Sequence, residues 1–415
     1  MFGIKTKIID RLKTRLIWSS QPVLGLKFLE SRLLLMLIKK ELKSELKFTN
    51  LQTPIAKQSN PIATRIIKSL ANFMPNNLGN WSIKTPSILS AKVEFELIKW
   101  LKDKYHAPKN IVGHFGSGST EGNIYATWLG RKYLMNKLAL EDTKKIVLIK
   151  SCLAHYSINK AADLVGVKLI EISIEKNDFN IDEIELLDNI KNLYQQGTRG
   201  FMIPLTLGYT VGGTDDNYQK IDKIITRFKK EHSNCEFFLW IDAAFSGISR
   251  VFLTNNFQPF KAKSVQLITS DFHKFLAVPY PASIMLYRKN LLSLVAKEIP
   301  YIDQMDTTLL GSRPGLNVLA TWMSLLLLGE NGIKKALQKS LKEKNNYLKK
   351  IALANLPIKI INNELSNQSC LIGAGQLTNR ILESKFGLKP IKYPLLLKKK
   401  KTKITIYKLY FLPNF

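Results

Sequence analysis

The chain has 415 residues, 45% hydrophobic and 10% aromatic, enough to bury a large core and ordinary for a globular protein. Its formal net charge of +30 admits nucleic acid, an anionic membrane surface or acidic ligands as partners. No nucleic-acid-binding signature accompanies that charge, and Lys, Ile and Asn recur along the whole chain, so a compositional bias is the simpler explanation.

In chain order, residues 1–50 read as one or two basic amphipathic helices. Ile4, Ile8, Ile9 and Leu12 fall near helical spacing, with Lys5, Lys7, Arg11, Lys13 and Arg15 between them. Two readings stand: a packed helix pair, or a segment that lies on an anionic membrane or clasps a second copy. The Pro/Asn/Gly-rich stretch 74–80 reads as a loop.

From residue 88 helix and strand patterns alternate. A helix is predicted over 91–105, with Val93, Leu97, Ile98 and Leu101 on one side. Strands are predicted over 145–149, 168–174, 200–206, 237–241 and 265–269, separated by helices such as 121–137 and 216–231. This alternation argues for an α/β domain with a mostly parallel, buried sheet, and ligands of such sheets bind beyond the carboxyl ends of the strands. After Pro314 helices follow over 316–328 and 333–353, then a Lys run at 398–401 and an apolar segment over 404–412. The expected division is an N-terminal helical segment 1–60, a large domain 61–312 and a smaller α+β domain 313–415.

The cysteines Cys152, Cys235 and Cys370 show no CxxC and no paired spacing, which argues against a disulfide framework or a zinc site and fits a reducing compartment. No apolar run approaches the ~20 residues a bilayer requires, and the N-terminus lacks a secretory pattern. A cytoplasmic location is expected.

Four motifs carry chemistry. In GHFGSGSTEGN, residues 113–123, small residues precede a helix. Such a helix start cradles an anion, or is a glycine-rich turn capped by Ser119 or Thr120. His155, after a strand, is either a satisfied histidine or a ring that stacks on a planar cofactor; Ser157 opens the next helix as a candidate cap. Asp242 in FFLWIDAAFSG leaves a buried strand, where a carboxylate needs a partner; it caps a turn or faces a pyridine nitrogen, with Ala243 and Ala244 leaving room for a flat ring. In LTLGYTVGGTDD, residues 205–216, Asp215 or Asp216 is placed to cap a helix. Lys274, in LITSDFHKFLAVPYP beside His273, is placed to form a Schiff base with an aldehyde cofactor if an apolar pocket favours its neutral amine.

In this order the motifs form the parts list for pyridoxal phosphate. GSGSTEGN resembles the GGTEGN segment of the group II pyridoxal-phosphate-dependent decarboxylases, within the fold type I aminotransferase-like superfamily. AHYS, IDAAFSG and FHK resemble that family's THYS, DAAxSG and GHK segments. YIDQMDTTLLGSRPG, residues 301–315, resembles the stretch of the bacterial histidine and plant serine decarboxylases, which ends in GSRNG or GSRSG. The resemblance spans residues 78–322.

What it implies is a mostly parallel central sheet flanked by helices, with a smaller C-terminal domain, and a homodimer with shared active sites. Lys274 would form the internal aldimine, Asp242 would pair with the ring nitrogen, and His155 would stack on the ring with Ala244 on the other face. Ser117, Gly118, Ser119 and Thr120, with Ser270 and His273, would hold the phosphate. Tyr301 or His155 would relay the proton that replaces the carboxylate, and Arg313 would serve a structural or cofactor-side role. The implied reaction is decarboxylation of an L-amino acid, histidine first and serine or an aromatic amino acid next. The chain departs from the pattern at Ala154, Trp240, Phe272 and Pro314. The GSRPG ending resembles the sphingosine-phosphate lyases, so a lyase acting on a phosphorylated amino alcohol is the alternative reaction, and a non-catalytic homologue the alternative role.

Overall fold

The computed structural model describes residues 28–47, 51–54, 56, 58–79, 88–300, 304–373 and 375–415. The basic residues between Lys5 and Arg15, and Tyr301, lie outside the described residues. Among the described residues no helix is long and apolar enough to cross a membrane.

Three helices, α1 (Phe28–Lys47), α2 (Pro61–Leu70) and α3 (Leu89–Lys104), precede the sheet. Then follow β1 (Ile111–Gly116), α4 (Ser119–Lys137), β2 (Ile146–Ser151), α5 (Ser157–Val165), β3 (Lys168–Ile172), α6 (Glu183–Gln195), β4 (Gly200–Thr206), α7 (Tyr218–Glu231), β5 (Glu236–Asp242), α8 (Gly247–Leu253), β6 (Val265–Asp271), the single turn α9 (Phe272–Phe275) and β7 (Ser283–Arg288). The seven strands run in the order β1-β7-β6-β5-β4-β2-β3. All pairings from β6 through β5, β4 and β2 to β3 are parallel, and β7 is antiparallel to both its neighbours.

Of the predicted strands, β2, β4, β5 and β6 form because their apolar runs are buried on both faces, the pattern of a parallel sheet covered by helices, whereas β3 is the partly exposed edge. Along β5, Phe237, Leu239 and Ile241 join the core beneath α3 and α7, whereas Phe238 and Trp240 join the core on the α4 side, the period of two of a strand. In register, Thr206, Asp242 and Thr269 lie side by side at the carboxyl edge, so the sheet delivers its polar strand ends to one place.

Two strands differ from expectation. Gly113, His114, Phe115 and Gly116 form buried β1 rather than loop, so the glycine-rich turn shortens to Ser117 and Gly118. The partner of β1 is β7, which the alternation did not announce. Beyond the sheet come β8 (Lys297–Ile299), β9 (Gln304–Asp306) and α10 (Gly315–Leu353), which joins the two predicted C-terminal helices across a kink at Gly329 (φ 61°). Then β10 (Ile358–Asn362), β11 (Gln368–Gly373), α11 (Gln376–Phe386), β12 (Ile391–Leu397) and β13 (Lys400–Tyr410) form a four-stranded antiparallel sheet with its helix. The Lys398–Lys399 pair is the exposed tip of the β12–β13 hairpin, both residues at positive φ.

Candidate active site

The carboxyl edge opens into a cavity of about 550 Å³. One wall is the start of α4. No side chain caps this helix, and an uncapped helix start at a cavity is the kind of place that suits an anion. The preceding turn is held by Glu121, whose Oε2 accepts the Ser117 N–H at 2.6 Å. Burial pushes the Glu121 carboxyl up, against its hydrogen bonds from Ser117. Gly122 lets the helix rest on β6: a Cβ there would lie 2.3 Å from Thr269 Oγ1. Ser119 donates its hydroxyl to Asp271 Oδ1 at 2.7 Å, so toward an anion it offers its backbone N–H. Ser117, Gly118 and Thr120 also line the cavity.

At the end of β5, Asp242 is buried with both oxygens addressed by donors. Asn123 Nδ2 donates to Oδ2 at 2.8 Å and the Ala244 N–H to Oδ1 at 3.2 Å. Ala244 lines the cavity beside it. Across from this pair stands His155, half-buried. Its Nδ1 lies 2.8 Å from Ser157 Oγ and accepts the Ser157 backbone N–H at 3.3 Å. Burial lowers the His155 imidazole below its ordinary value, with Asp242 opposing and Lys274 adding. Ser157 is the first helical residue and its side chain caps nothing; it spans Asn123 and His155 instead.

Lys274 stands on α9, just past β6. Its surroundings are not purely apolar. Nζ lies 3.2 Å from Asp271 Oδ2 and 4.3 Å over the Phe245 ring. The same carboxylate oxygen lies 3.2 Å from His273 Nε2, and His273 Nδ1 lies 2.9 Å from the Ala282 carbonyl. Burial alone would raise Asp271; the charges of Lys274 and His273, with hydrogen bonds from His273 and Ser119, outweigh it and hold the carboxyl well below the usual range.

Lys274, His155, Asp242, Ala244, His273 and residues 117–120 therefore share one cavity. Ser270 does not join them. It alternates with Thr269 and Asp271, so its hydroxyl turns to the opposite face and meets Tyr105 OH at 3.1 Å. Arg313 is buried away from the cavity, bonding the Glu94 carboxylate and the carbonyls of Phe115 and Gly79, a structural clamp. Neither aspartate of the 205–216 motif caps α7, whose cap is Asn217. Asp215 pairs with Arg250 and the Gly208 N–H. Burial pushes Asp216 up to about 7, although it accepts from Thr206 N, Ile181 N and Tyr209 OH; it fastens the loop that carries Tyr209 into the cavity wall.

Two residues escaped the sequence reasoning. Asn123 bridges Asp242 and Ser157 and accepts from Trp240. Asp271 could have been found by the argument applied to Asp242, since it too is an acid leaving a buried strand.

The donor set fits pyridoxal phosphate. An uncapped helix start suits the phosphate, a buried acceptor-only carboxylate suits a protonated ring nitrogen, and a primary amine stands in the same cavity.

The pyridoxal-dependent decarboxylase conserved domain matches residues 60–370 of the chain. A tryptophan decarboxylase of Clostridium sporogenes is 30% identical over 325 residues, covering 76% of this chain and 75% of its own length. A histidine decarboxylase of Vibrio anguillarum is 25% identical, with 63% of this chain and 64% of its own length covered. The solved L-methionine decarboxylase of Streptomyces sp. 590, with 3-methylthiopropylamine, superposes with a TM-score of 0.77 at 18% identity, over 95% of this chain and 93% of that one; it shares the fold. The chain belongs to the pyridoxal-dependent decarboxylase family, carboxy-lyases that work with pyridoxal phosphate.

Proposed function

We propose that the chain decarboxylates an L-amino acid with a flat, largely apolar side chain, releasing CO₂ and the amine. The observation that carries this reading is the mixed lining of the cavity, in which Lys274, Asp242 and the start of α4 stand among the apolar side chains of Ile124, Leu153, Tyr156, Phe245, Leu309 and Leu310. Among the described residues, the basic side chains lining the cavity are Lys274, His155 and His273, and Arg313 is turned into its buried clamp.

Pyridoxal phosphate, when bound, supplies the electron sink for the departing carboxylate's electrons. Lys274 would hold the cofactor's aldehyde carbon, Asp242 would pair with its ring nitrogen, and the α4 N-terminus with Thr120 would hold its phosphate. His155 would stack on the ring and offer its Nε2 proton to the substrate. Tyr301 is the second candidate for returning a proton to the substrate carbon. The rim residues Tyr156, Tyr280 and Leu310 are 66%, 58% and 38% exposed, apolar surface suited to burial by a second copy. We therefore read the active form as a homodimer.

A panel of tryptophan, tyrosine, phenylalanine, histidine, methionine and serine, assayed for CO₂ and amine with the cofactor-loaded protein, tests the reading. Turnover of an aromatic member is expected, histidine included. Release of CO₂ from serine alone would overturn the side-chain assignment. An aldehyde formed from a phosphorylated amino alcohol, with no CO₂ from any amino acid, would overturn the reaction.

A further inference from the structure

Next to the start of α4 lies a row of four buried polar side chains, Tyr125, Tyr287, His114 and Glu121. Tyr125 gives its one hydroxyl proton to the Thr307 carbonyl, an acceptor only, at 2.6 Å. Tyr125 also shares a side-chain hydrogen bond with Tyr287, so Tyr287 is the donor there. With its own proton committed, Tyr287 accepts from His114 Nδ1, 2.8 Å away. A neutral His114 therefore carries its proton on Nδ1 and turns a bare Nε2 lone pair toward Glu121 Oε1, 4.0 Å distant. Among the described residues neither of these two buried atoms has a hydrogen-bond partner. A lone pair facing a carboxylate oxygen would leave both unmet, which is costly in the interior; one proton between them meets both. Burial holds the His114 imidazole well below its ordinary value, with Arg313 adding. Burial raises the Glu121 carboxyl, against Ser117 and Arg313, so the proton belongs on the acid. The other charges nearby have partners of their own. Arg313 is paired with Glu94 at the edge of β1, and Asp271 across the turn is held by Ser119, His273 and Lys274. Asp306 acts on Tyr125. The carboxyl is tucked against the end of β1, where a Cβ on Gly116 would lie 2.8 Å from Glu121 Oε2.

We propose that Glu121 is a positioning residue that stays a neutral acid in the native protein at pH 7, donating its proton to His114 Nε2 while its other oxygen holds the Ser117 N–H. The donation needs the carboxyl to move about 1 Å toward the imidazole. The turn at Ser117 and Gly118 is then fastened without a negative charge beside the start of α4, where a carboxylate would repel a phosphate group. The consequence for the phosphate rests on the function proposed above; the protonation of Glu121 does not.

The test uses the full chain and Glu121→Gln, whose amide copies the neutral acid: it can donate to His114 and accept from Ser117. The unfolded wild-type chain ionises Glu121 near its unfolded value of about 4.3, while the folded chain keeps it protonated. The stability this group contributes is therefore fully present below that pH and lost as the pH rises. The urea midpoint of the wild type should fall relative to that of Glu121→Gln between pH 4 and pH 7. A wild-type midpoint that stays level with the variant or rises against it over that window would show a charged Glu121 and overturn the proposal. With ¹⁵N-labelled histidine, His114 should give the signature of the Nδ1–H tautomer at pH 7, and an Nε2–H or doubly protonated ring would overturn it. In the binding arm, pyridoxal phosphate affinity at pH 7, measured by absorbance, should stay within about twofold in Glu121→Gln. It should weaken about tenfold in Glu121→Leu, which cannot hold the Ser117 N–H. A change of about tenfold or more in Glu121→Gln, in either direction, would overturn the neutral acid, and equal affinity in Glu121→Leu would contradict its hold on the turn. Failure of the wild-type protein to bind the cofactor would overturn the functional reading, and the urea and ¹⁵N arms would still decide the protonation of Glu121.

Discussion

Lys274 and Asp271 face each other across a single helical turn, Nζ 3.2 Å from Oδ2, and Asp271 is the acid that also receives His273 and Ser119. One buried carboxylate therefore ties the amine, its neighbouring imidazole and the start of α4 into one unit. The amine is thus placed by an ion pair before any ligand arrives.

Asp271→Ala should destabilise the protein by about 3–5 kcal/mol, because it strands partners that the site buries around the acid. The sign with pH follows from the depressed carboxyl. The contribution is fully present above the unfolded value of about 4 and declines as the pH falls below it. Urea unfolding at pH 7 and pH 3 checks both: the gap between wild type and variant should narrow at pH 3.

His155 titrates in the same sense, at a higher pH. Burial lowers its imidazole in the native state, so the unfolded chain binds the proton first. Native stability is then lost as the pH falls through the unfolded value of about 6.5. His155→Gln, which cannot take up that proton, should lose less stability than wild type between pH 8 and pH 5. Denaturant midpoints at the two pH values measure it, and parallel losses would contradict it.

Gly122 is required by contact rather than by backbone angle, since a Cβ would lie 2.3 Å from Thr269 Oγ1. Gly122→Ala should push the first turn of α4 off β6, costing about 1–3 kcal/mol and loosening the proposed phosphate site. Titration with pyridoxal phosphate should show weaker binding, and Thr269→Ala in the same chain should recover part of it.

Arg313 forks between the Glu94 carboxylate and the Phe115 and Gly79 carbonyls. Arg313→Lys cannot reproduce that fork, and with Glu94 left underpaired the loss should be about 3 kcal/mol or more. Thermal unfolding of Arg313→Lys, of Glu94→Gln and of the double variant gives the coupling between them. Additive losses would show that the two do not act together.

The parts of the fold that were legible in the sequence are those whose physics is local. Parallel strands buried on both faces read as unbroken apolar runs, which is why 200–206 matches β4 to the residue. β1 was hidden because Gly113, His114 and Gly116 look like loop, yet Gly113 is needed where the Met285 carbonyl would come within 2.3 Å of a Cβ. In the site, Asp242 and Lys274 announced themselves as polar groups at the ends of apolar strands. Ser270 was misplaced for the same reason the strands were visible: a segment apolar on both faces carries no alternation to say which polar residue faces the cavity. Asn123 was illegible because its meaning lies in Asp242, 119 residues away.

The central claim is that Lys274 is the amine that holds pyridoxal phosphate. Borohydride reduction of the cofactor-loaded protein, followed by digestion and mass spectrometry, tests it most directly. The account predicts one reduced pyridoxyl adduct per chain, on the peptide containing Lys274, and none in Lys274→Ala despite its intact fold. An adduct on another lysine, or an undiminished visible absorbance band in Lys274→Ala, would contradict it.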